Sequence, residues 1–392
     1  MKTKVYLDNA ATTPMDPQVI EAMVKVMQEN YGNPSSTHSV GQEAKSIIEG
    51  VRRKVADALK VVPGEIIFTS CGTESNNLII QSCVAHLGVE RIITSPMEHK
   101  CVSEAVKDAE SRCGVEVVYL QADQNGEISL EKIHSALEAS EKKTLVTLMH
   151  ANNEIGNLLD IEAVAKLCKD YGAYFHSDTV QTVAHLDLDF SKIPLDFASC
   201  SAHKFHGPKG AGFAFIRKST KLKPMILGGT QERELRAGTE NVVGIVGLGK
   251  ALELCLENME EYSNHMGAIK QYAVEKLSEN IPGVKFNGFS HDPEKSLYTV
   301  LSVLLPFKNP LIGLQLDMKG ISISQGSACS SGAAKPSMVM MSLLSEDEME
   351  VTTPLRVSFS HLTTREEIDY FASVLKEIYD KSTIEKTNAV HR

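Results

Sequence analysis

The sequence predicts an α/β protein in which a large, mostly parallel sheet is covered by helices on both faces and a smaller α+β domain follows at the C-terminal end. Three observations carry that prediction. Between residues 65 and 216, short apolar runs rich in β-branched and aromatic residues alternate with helical patterns, as strands joined by crossover helices do. Polar residues suited to ligand contact recur just after those runs, where open sheets of this kind bind their ligands. Beyond residue 245 the pattern changes to long helical stretches with a few strand-like runs between them.

Taken in order, Asp16 and Pro17 are placed to cap and open a helix in which Ile20, Met23, Val24 and Met27 recur at helical spacing, ending near Asn30. A second helix from about Ser39 carries Ala44, Ile48, Val51, Val55 and Leu59 on one face, and Pro63 and Gly64 turn it into "EIIFTS". Strands are then expected at "EIIFTS", "RIITS", "VEVVYL", "TLVTLMH" and "AYFHSD". The segments between them, "SNNLIIQSCVAHL", "CVSEAVKDAE", "SLEKIHSALEAS" and "IEAVAKLCKDYG", read as helices. The strand "DFASCSA" and the hairpin-like "GAGFAFIR" complete the large sheet. One helical pattern from about 245 to 280 precedes the strand-like "SLYTVLSVLL", "ISISQ" and "PLRVSFS", and "REEIDYFASVLKEIYDK" closes the chain as a helix.

Composition narrows the function classes. With 392 residues, 42% hydrophobic and 23% charged, the chain can bury a large core and hold two or three domains. A formal charge of −10 argues against binding a phosphate backbone, so no direct nucleic-acid partner is expected. The segment "MKTKVYLDNAATTP" has no apolar signal core, and nowhere do 18 uncharged apolar residues run together; a cytoplasmic protein without a membrane partner is expected. Eight cysteines without a CxxC pair argue against a zinc site and against a disulfide scaffold, so no metal is expected and the thiols are read as reduced.

The strand ends carry the chemistry. "FTSCGTESNN" places Gly72 and Thr73 at a helix start, where backbone N–H groups and a hydroxyl can hold a phosphate. His99 follows one strand in "SPMEHKC", Asn153 follows another in "HANNEIGN", and Asp178 ends a third in "FHSDTVQT", with Gln181 three residues on. Each alone has a plain structural reading: a surface histidine, a turn asparagine, a capping aspartate. "SAHKFHGPKG" adds Ser201, His203 and an amine, Lys204. An amine that forms a Schiff base needs an electron sink, commonly pyridoxal phosphate with an acidic partner for its ring nitrogen. Together these segments supply an anion site, a ring for stacking, a carboxylate and the amine.

The motifs "YLDNAATTP", "GNPSSTH", "FTSCGTESNN", "MEH", "HANNEIG", "HSDTVQ", "SAHKFHGPKGAGF", "GGTQERELRAGTEN" and "GSACSSG" resemble, in order, those of the cysteine desulfurases related to NifS and IscS, which are fold-type I pyridoxal-phosphate enzymes of the class V aminotransferase group. The resemblance runs from residue 6 to about residue 360. It implies a PLP-dependent transferase fold with a large cofactor-binding domain over residues 15–258 and a small domain made of residues 1–14 and 259–392, the latter carrying the catalytic cysteine. It also implies that Lys204 carries the cofactor covalently, Asp178 faces the pyridine nitrogen, Gln181 the ring hydroxyl, and His99 stacks on the ring as a catalytic group. Gly72, Thr73, Ser201 and His203 would hold the phosphate with Thr239 of a partner subunit, making the functional unit a homodimer. Arg356 would grip the carboxylate of the L-cysteine substrate, with Asn153 helping at substrate and cofactor.

Cys329, in the small-residue stretch "SQGSACSSGAAKP", would take the substrate sulfur as a persulfide and pass it to an acceptor protein, an iron–sulfur scaffold or a tRNA-thiolation enzyme. That stretch has no apolar period and is expected to be a mobile loop, whereas Cys83 and Cys168 fall in helical apolar patterns and are expected in the core. Cys71 stands where the family commonly has a small residue, Ser360 where glycine is usual, and the tail "KSTIEKTNAVHR" does not resemble the segment by which housekeeping members dock their scaffold. Selenocysteine lyase is the rival within the same chemistry, and a non-catalytic cofactor-holding scaffold the rival from another class. The joint presence of Lys204 and Cys329 weighs against the scaffold.

Overall fold

A computed structural model describes residues 4–325 and 336–390, the side chains of 383–390 excepted. The chain opens with strand β1 (Val5–Tyr6) and helices α1 (Pro17–Glu29) and α2 (Ser39–Leu59), and then alternates: β2 (Ile66–Thr69), α3 (Gly72–Leu87), β3 (Arg91–Thr94), α4 (Lys100–Cys113), β4 (Glu116–Tyr119), α5 (Leu130–Glu138), β5 (Thr144–Thr147), α6 (Ile161–Asp170), β6 (Tyr174–Asp178), β7 (Phe197–Ser201) and β8 (Gly212–Ile216). These strands form one seven-stranded sheet in the order β2-β8-β7-β6-β5-β3-β4. Only β8 runs against its neighbours, pairing antiparallel with both β2 and β7, and the other pairs are parallel. The expected mostly parallel sheet is present, with the hairpin where "GAGFAFIR" indicates it.

Period-two alternation builds the two faces. Ile66 and Phe68 pack with Ile48, Val51, Val55 and Leu59 of α2, whereas Ile67, between them, packs with Leu78 and Ile79 of α3 and Val102 of α4. Cys83 and Cys168 are buried, as their helical positions predict. Asp16 caps α1 by accepting from the Gln18 N–H at 2.7 Å. The buried stripe of α1 differs from the expected one: Val19 and Val26 are buried with Met23 against them, and Ile20, Val24 and Met27 are exposed. The helix has two apolar stripes, and packing on the later helix α7 selects one of them.

The second half starts with α7 (Val242–Glu257) and α8 (Met259–Asn280), followed by β9 (Lys285–Phe286), β10 (Val300–Leu305), α9 (Ile312–Met318), β11 (Ile321–Ser322), α10 (Met338–Leu343), α11 (Glu346–Val351), β12 (Thr353–Ser358) and α12 (Arg365–Val390). The pattern from 245 to 280 is thus two helices. Asn258 ends α7 with its backbone N–H and its side-chain amide both on the Leu254 carbonyl oxygen, so the chain turns without glycine or proline. Strands β12-β10-β9 form an antiparallel sheet, and β1 joins β11 in a two-stranded parallel pair. Helix α7 packs in the core of the large sheet, and a separate apolar cluster holds the elements from α8 onward together with β1, from Val5 and Leu7 through Leu301 and Val303 to Phe371 and Leu375. Among the described residues no helix is long and apolar enough to cross a membrane.

One buried ion pair ties β2 to the segment that precedes α7. Arg52 donates to both carboxylate oxygens of Glu232, at 2.7 and 2.9 Å, and to the Ile66 carbonyl at 2.7 Å, and Glu232 also accepts from the Phe68 N–H at 2.8 Å. Glu232→Ala would remove the buried, bidentate carboxylate and leave the guanidinium to the Glu49 carboxylate, 3.0 Å from its Nε, and is expected to lower stability by up to about 3–5 kcal/mol in chemical denaturation. A loss below about 1 kcal/mol would show that the pair is not a determinant of stability.

Candidate active site

The strand ends of the large sheet converge on one cavity of about 360 Å3. It is lined by Gly72, Thr73, His99, Asn153, Asp178, Gln181, Ser201, His203, Lys204 and Arg356, together with Ala10, Ala11, Cys71, Asn76 and Cys101. Parallel packing explains the convergence. Asp178 and Ser201 are the last residues of neighbouring parallel strands, His99 caps α4 after β3, and α3 starts at Gly72 with Ser70 and Cys71 between it and β2. Lys204 closes a single 3-10 turn, Ala202–Lys204, directly after β7.

The α3 end of the cavity is suited to an anion. The first N–H groups of a helix have no intrahelical acceptor, and here they are flanked by the Thr73 and Ser201 hydroxyls and by His203. The Ser201 Oγ is buried with no hydrogen-bond partner, a donor that an anion's oxygen would satisfy. A Cβ on Gly72 would lie 2.5 Å from Val180 Cγ2, so the close packing of this turn against Val180 requires glycine. Burial lowers His203 to about 4, aided by Lys204 and Lys209, which makes it a neutral ring at physiological pH. At the opposite side Asp178 is anchored through both oxygens, Oδ1 accepting from the Val180 N–H at 3.0 Å and Oδ2 from Asn76 Nδ2 at 2.7 Å. A phosphate-bearing ring with a cationic nitrogen fits this donor set: hydroxyls and amides at one end, a carboxylate at the other.

The Lys204 amine donates to the Ala10 and Ala11 carbonyls at 2.6 and 2.9 Å. Burial lowers it to about 8, with Arg356 pushing the same way and Asp178 and Asp8 opposing. Gln181 Nε2 donates to the Ala10 carbonyl at 3.2 Å, so the "DNAATTP" segment lies against both. His99 Nδ1 accepts from the Cys101 N–H at 3.2 Å, and partial desolvation lowers its ring, opposed by Asp178.

Arg356 stands on β12 and reaches the mouth of the cavity. Its Nη2 donates to Asp8 Oδ1 at 2.9 Å and to Ser324 Oγ at 3.0 Å, and its Nη1 to the Asn153 carbonyl at 3.1 Å, while Nε is buried without a partner. A guanidinium held at one edge by a carboxylate keeps its planar fork aligned for a second one. Asp8, Asn76 and Cys101 are site residues for which the sequence reading assigns no role. Asn76 has a usable signal, since it lies one helical turn after Thr73 on α3; Asp8 has none, because its partner is 348 residues away.

Two expected site residues stand apart. Thr239 is exposed and does not line this cavity, although Arg236, three residues earlier, donates to Glu74 of α3 at 2.8 Å and holds its segment near the anion end. Cys329 lies outside the described residues. The residues flanking its segment, Ser324 on one side and Pro336 on the other, both line the front pocket that contains Arg356, Asn153 and His99.

Comparison with known proteins agrees with this arrangement. The family model described as Aminotransferase class-V matches residues 5–371. A curated relative, cysteine desulfurase IscS of Dictyoglomus turgidum, is 40% identical over 385 residues, covering 97% of this chain and 96% of its own. Among solved structures, a NifS-like protein superposes with a TM-score of 0.87 at 37% identity, covering 96% of this chain and all of its own. A structure titled SspA in complex with cysteine superposes with a TM-score of 0.78 at 34% identity, covering 92% of this chain and all of its own. The chain therefore belongs to the class-V aminotransferase family and, within it, to the cysteine desulfurases of the NifS and IscS type.

Proposed function

We propose that the protein converts L-cysteine to L-alanine with pyridoxal phosphate and stores the released sulfur as a persulfide on Cys329 for transfer to an acceptor protein. The observation that carries this reading is the gathering of Lys204, Asp178 and Arg356 around a single cavity whose far end is suited to a phosphate. The cysteine bound by the SspA structure supports the substrate. Incubation with cysteine should release alanine and leave one added sulfur on the chain in equal amounts; alanine without sulfur on the protein would contradict the transfer.

Each residue has a physical task. Thr73, Ser201, His203 and the first amides of α3 would hold the phosphate, Gln181 would meet the ring hydroxyl, and His99 would cover the ring. When bound, pyridoxal phosphate supplies a sink for the electron pair left as the substrate Cα loses its proton. Asp178 would stabilise positive charge at the ring nitrogen. Arg356 and Asn153 hold the substrate carboxylate, which turns the Cα–H bond toward Lys204. The Lys204 amine takes that proton as a general base. The Cys329 thiolate attacks the substrate sulfur; the S–S bond forms as the Cβ–S bond breaks, Cβ keeps the electron pair, and a proton converts it to the methyl group of alanine.

The acidity of Lys204 makes this testable in the apoprotein. Only the neutral amine can attack an aldehyde, and an amine lowered to about 8 is neutral above that pH and protonated below it. The rate of covalent pyridoxal phosphate uptake is therefore expected to rise tenfold per pH unit below 8 and to level off above it. A rate still climbing toward pH 10, the range of an ordinary lysine, would show that Lys204 is not depressed.

The working unit is proposed as a homodimer, acting in the cytoplasm. The exposed apolar stripe of Ile20, Val24 and Met27, with Tyr31 beyond it, supports a covered face, and Thr239 is then free to reach a partner's phosphate site. Mixing Lys204→Ala chains with Thr239→Ala chains should restore one intact site per mixed dimer and recover activity absent from either parent. No recovery in demonstrably mixed dimers would place Thr239 outside the partner's site.

A further inference from the structure

A hydrogen-bond chain that ends on His99 runs through Cys101. Asn76 Nδ2 donates to Asp178 Oδ2 at 2.7 Å and to Cys101 Sγ at 3.2 Å. Cys101 Sγ lies 2.9 Å from His99 Nδ1, which also accepts from the Cys101 backbone N–H at 3.2 Å. The thiol is in its neutral form, because burial, reinforced by Asp178, pushes it up to about 12. The Asn76 amide points a proton at the sulfur and the Thr73 hydroxyl lies beside it, so His99 Nδ1, at 2.9 Å and with a free lone pair, is the nearest nitrogen acceptor for the S–H proton. Two donors, one thiol and one amide, then converge on the Nδ1 lone pair, and a neutral imidazole must carry its proton on Nε2.

We propose that Cys101 is a positioning residue for His99: its thiol donates to Nδ1, holds the imidazole in the Nε2–H tautomer at the cavity wall, and links that ring through Asn76 to Asp178. This rests on the reading of His99 as the ring that meets the cofactor. It also gives Cys101 a purpose other than carrying sulfur. A thiol kept protonated and hydrogen-bonded is a poor nucleophile, so a second cysteine can line the cavity without competing for the substrate sulfur.

Nitrogen-15 histidine NMR of the full chain, with and without pyridoxal phosphate, reads the tautomer directly. Wild type and Cys101→Ser are expected to show His99 protonated at Nε2. In Cys101→Ala the thiol donor is lost and the backbone amide at 3.2 Å is the one donor that remains of the two, so the preference for Nε2–H should weaken to a detectable Nδ1–H fraction and the ring should titrate at higher pH. In the loaded enzyme Cys101→Ala should lower kcat roughly tenfold, the worth of about one hydrogen bond, with KM unchanged, and Cys101→Ser should recover most of that loss. A Cys101→Ala protein with wild-type His99 tautomer and titration overturns the proposal, as does a Cys101→Ser protein with Nδ1–H populated, which decides the matter even where the alanine variant folds poorly. Should His99→Ala leave turnover intact, the role of His99 itself fails, and the tautomer measurement, which needs neither cofactor nor turnover, still judges Cys101 separately.

Discussion

Lys204→Ala is expected to abolish turnover while leaving a protein that still binds pyridoxal phosphate. The phosphate-binding groups are on other elements: Thr73 on α3, Ser201 at the end of β7, and His203 with its own hydrogen-bond distance of 3.2 Å to Thr12 Oγ1. None depends on the lysine side chain, whose amine donates to the Ala10 and Ala11 carbonyls. Two functions disappear together, the covalent hold on the cofactor and the base at Cα. Loss of a positioned general base alone removes roughly 10^2–10^4 in rate, and the residual activity should fall below that range because both functions are lost. Borohydride treatment followed by peptide mass mapping checks the assignment: wild type should carry the reduced cofactor on Lys204 and the variant on no residue. Fixation on Lys209 or any other lysine would move the reactive amine elsewhere.

The site residues legible in the sequence are those whose positions follow from local chain direction. Asp178 and Ser201 end parallel strands, and Gly72 starts a helix after another, so recognising the strands places all three at one edge of the sheet. Arg356 illustrates the opposite case. Its neighbours in "PLRVSFS" say only that it lies on a strand, and what aims the guanidinium is Asp8, brought to it because β1 pairs with β11 and Ser358 lies beside Asp8 in an isolated bridge. That long-range pairing leaves no local trace. The same limit explains α1, where Ile20, Val24 and Met27 and the buried Val19 and Val26 have equal periodicity and only α7 distinguishes them, and Asn258, whose break between α7 and α8 rests on side-chain capping in an otherwise continuous helical pattern. Cys101 is visible as a cysteine near the ligand positions, but its hydrogen bond to His99 depends on how α4 starts after β3.

Cys329→Ser should bind cysteine, alter the cofactor absorption and then stop, releasing no alanine and carrying no persulfide in intact-chain mass spectra. Substrate binding and Cα deprotonation use Lys204, Asp178 and Arg356, all untouched, and only the step that breaks the Cβ–S bond needs a thiolate; a serine hydroxyl at neutral pH is too weakly ionised to replace it. The other thiols offer little rescue. Cys83, Cys168, Cys200 and Cys255 are buried, Cys113 is exposed at the end of α4 and does not line the cavity, and Cys101 is held as a protonated donor, which leaves Cys71 at the anion end as the thiol to watch. Sulfur found on Cys71 or Cys101 of the variant, with alanine still formed, would show that the acceptor has been assigned to the wrong residue. Formation of alanine and elemental selenium from selenocysteine by the same variant, without alanine from cysteine, would instead favour the lyase reaction, because selenium can leave as the element, Cβ keeping the bonding pair, without a thiol to receive it.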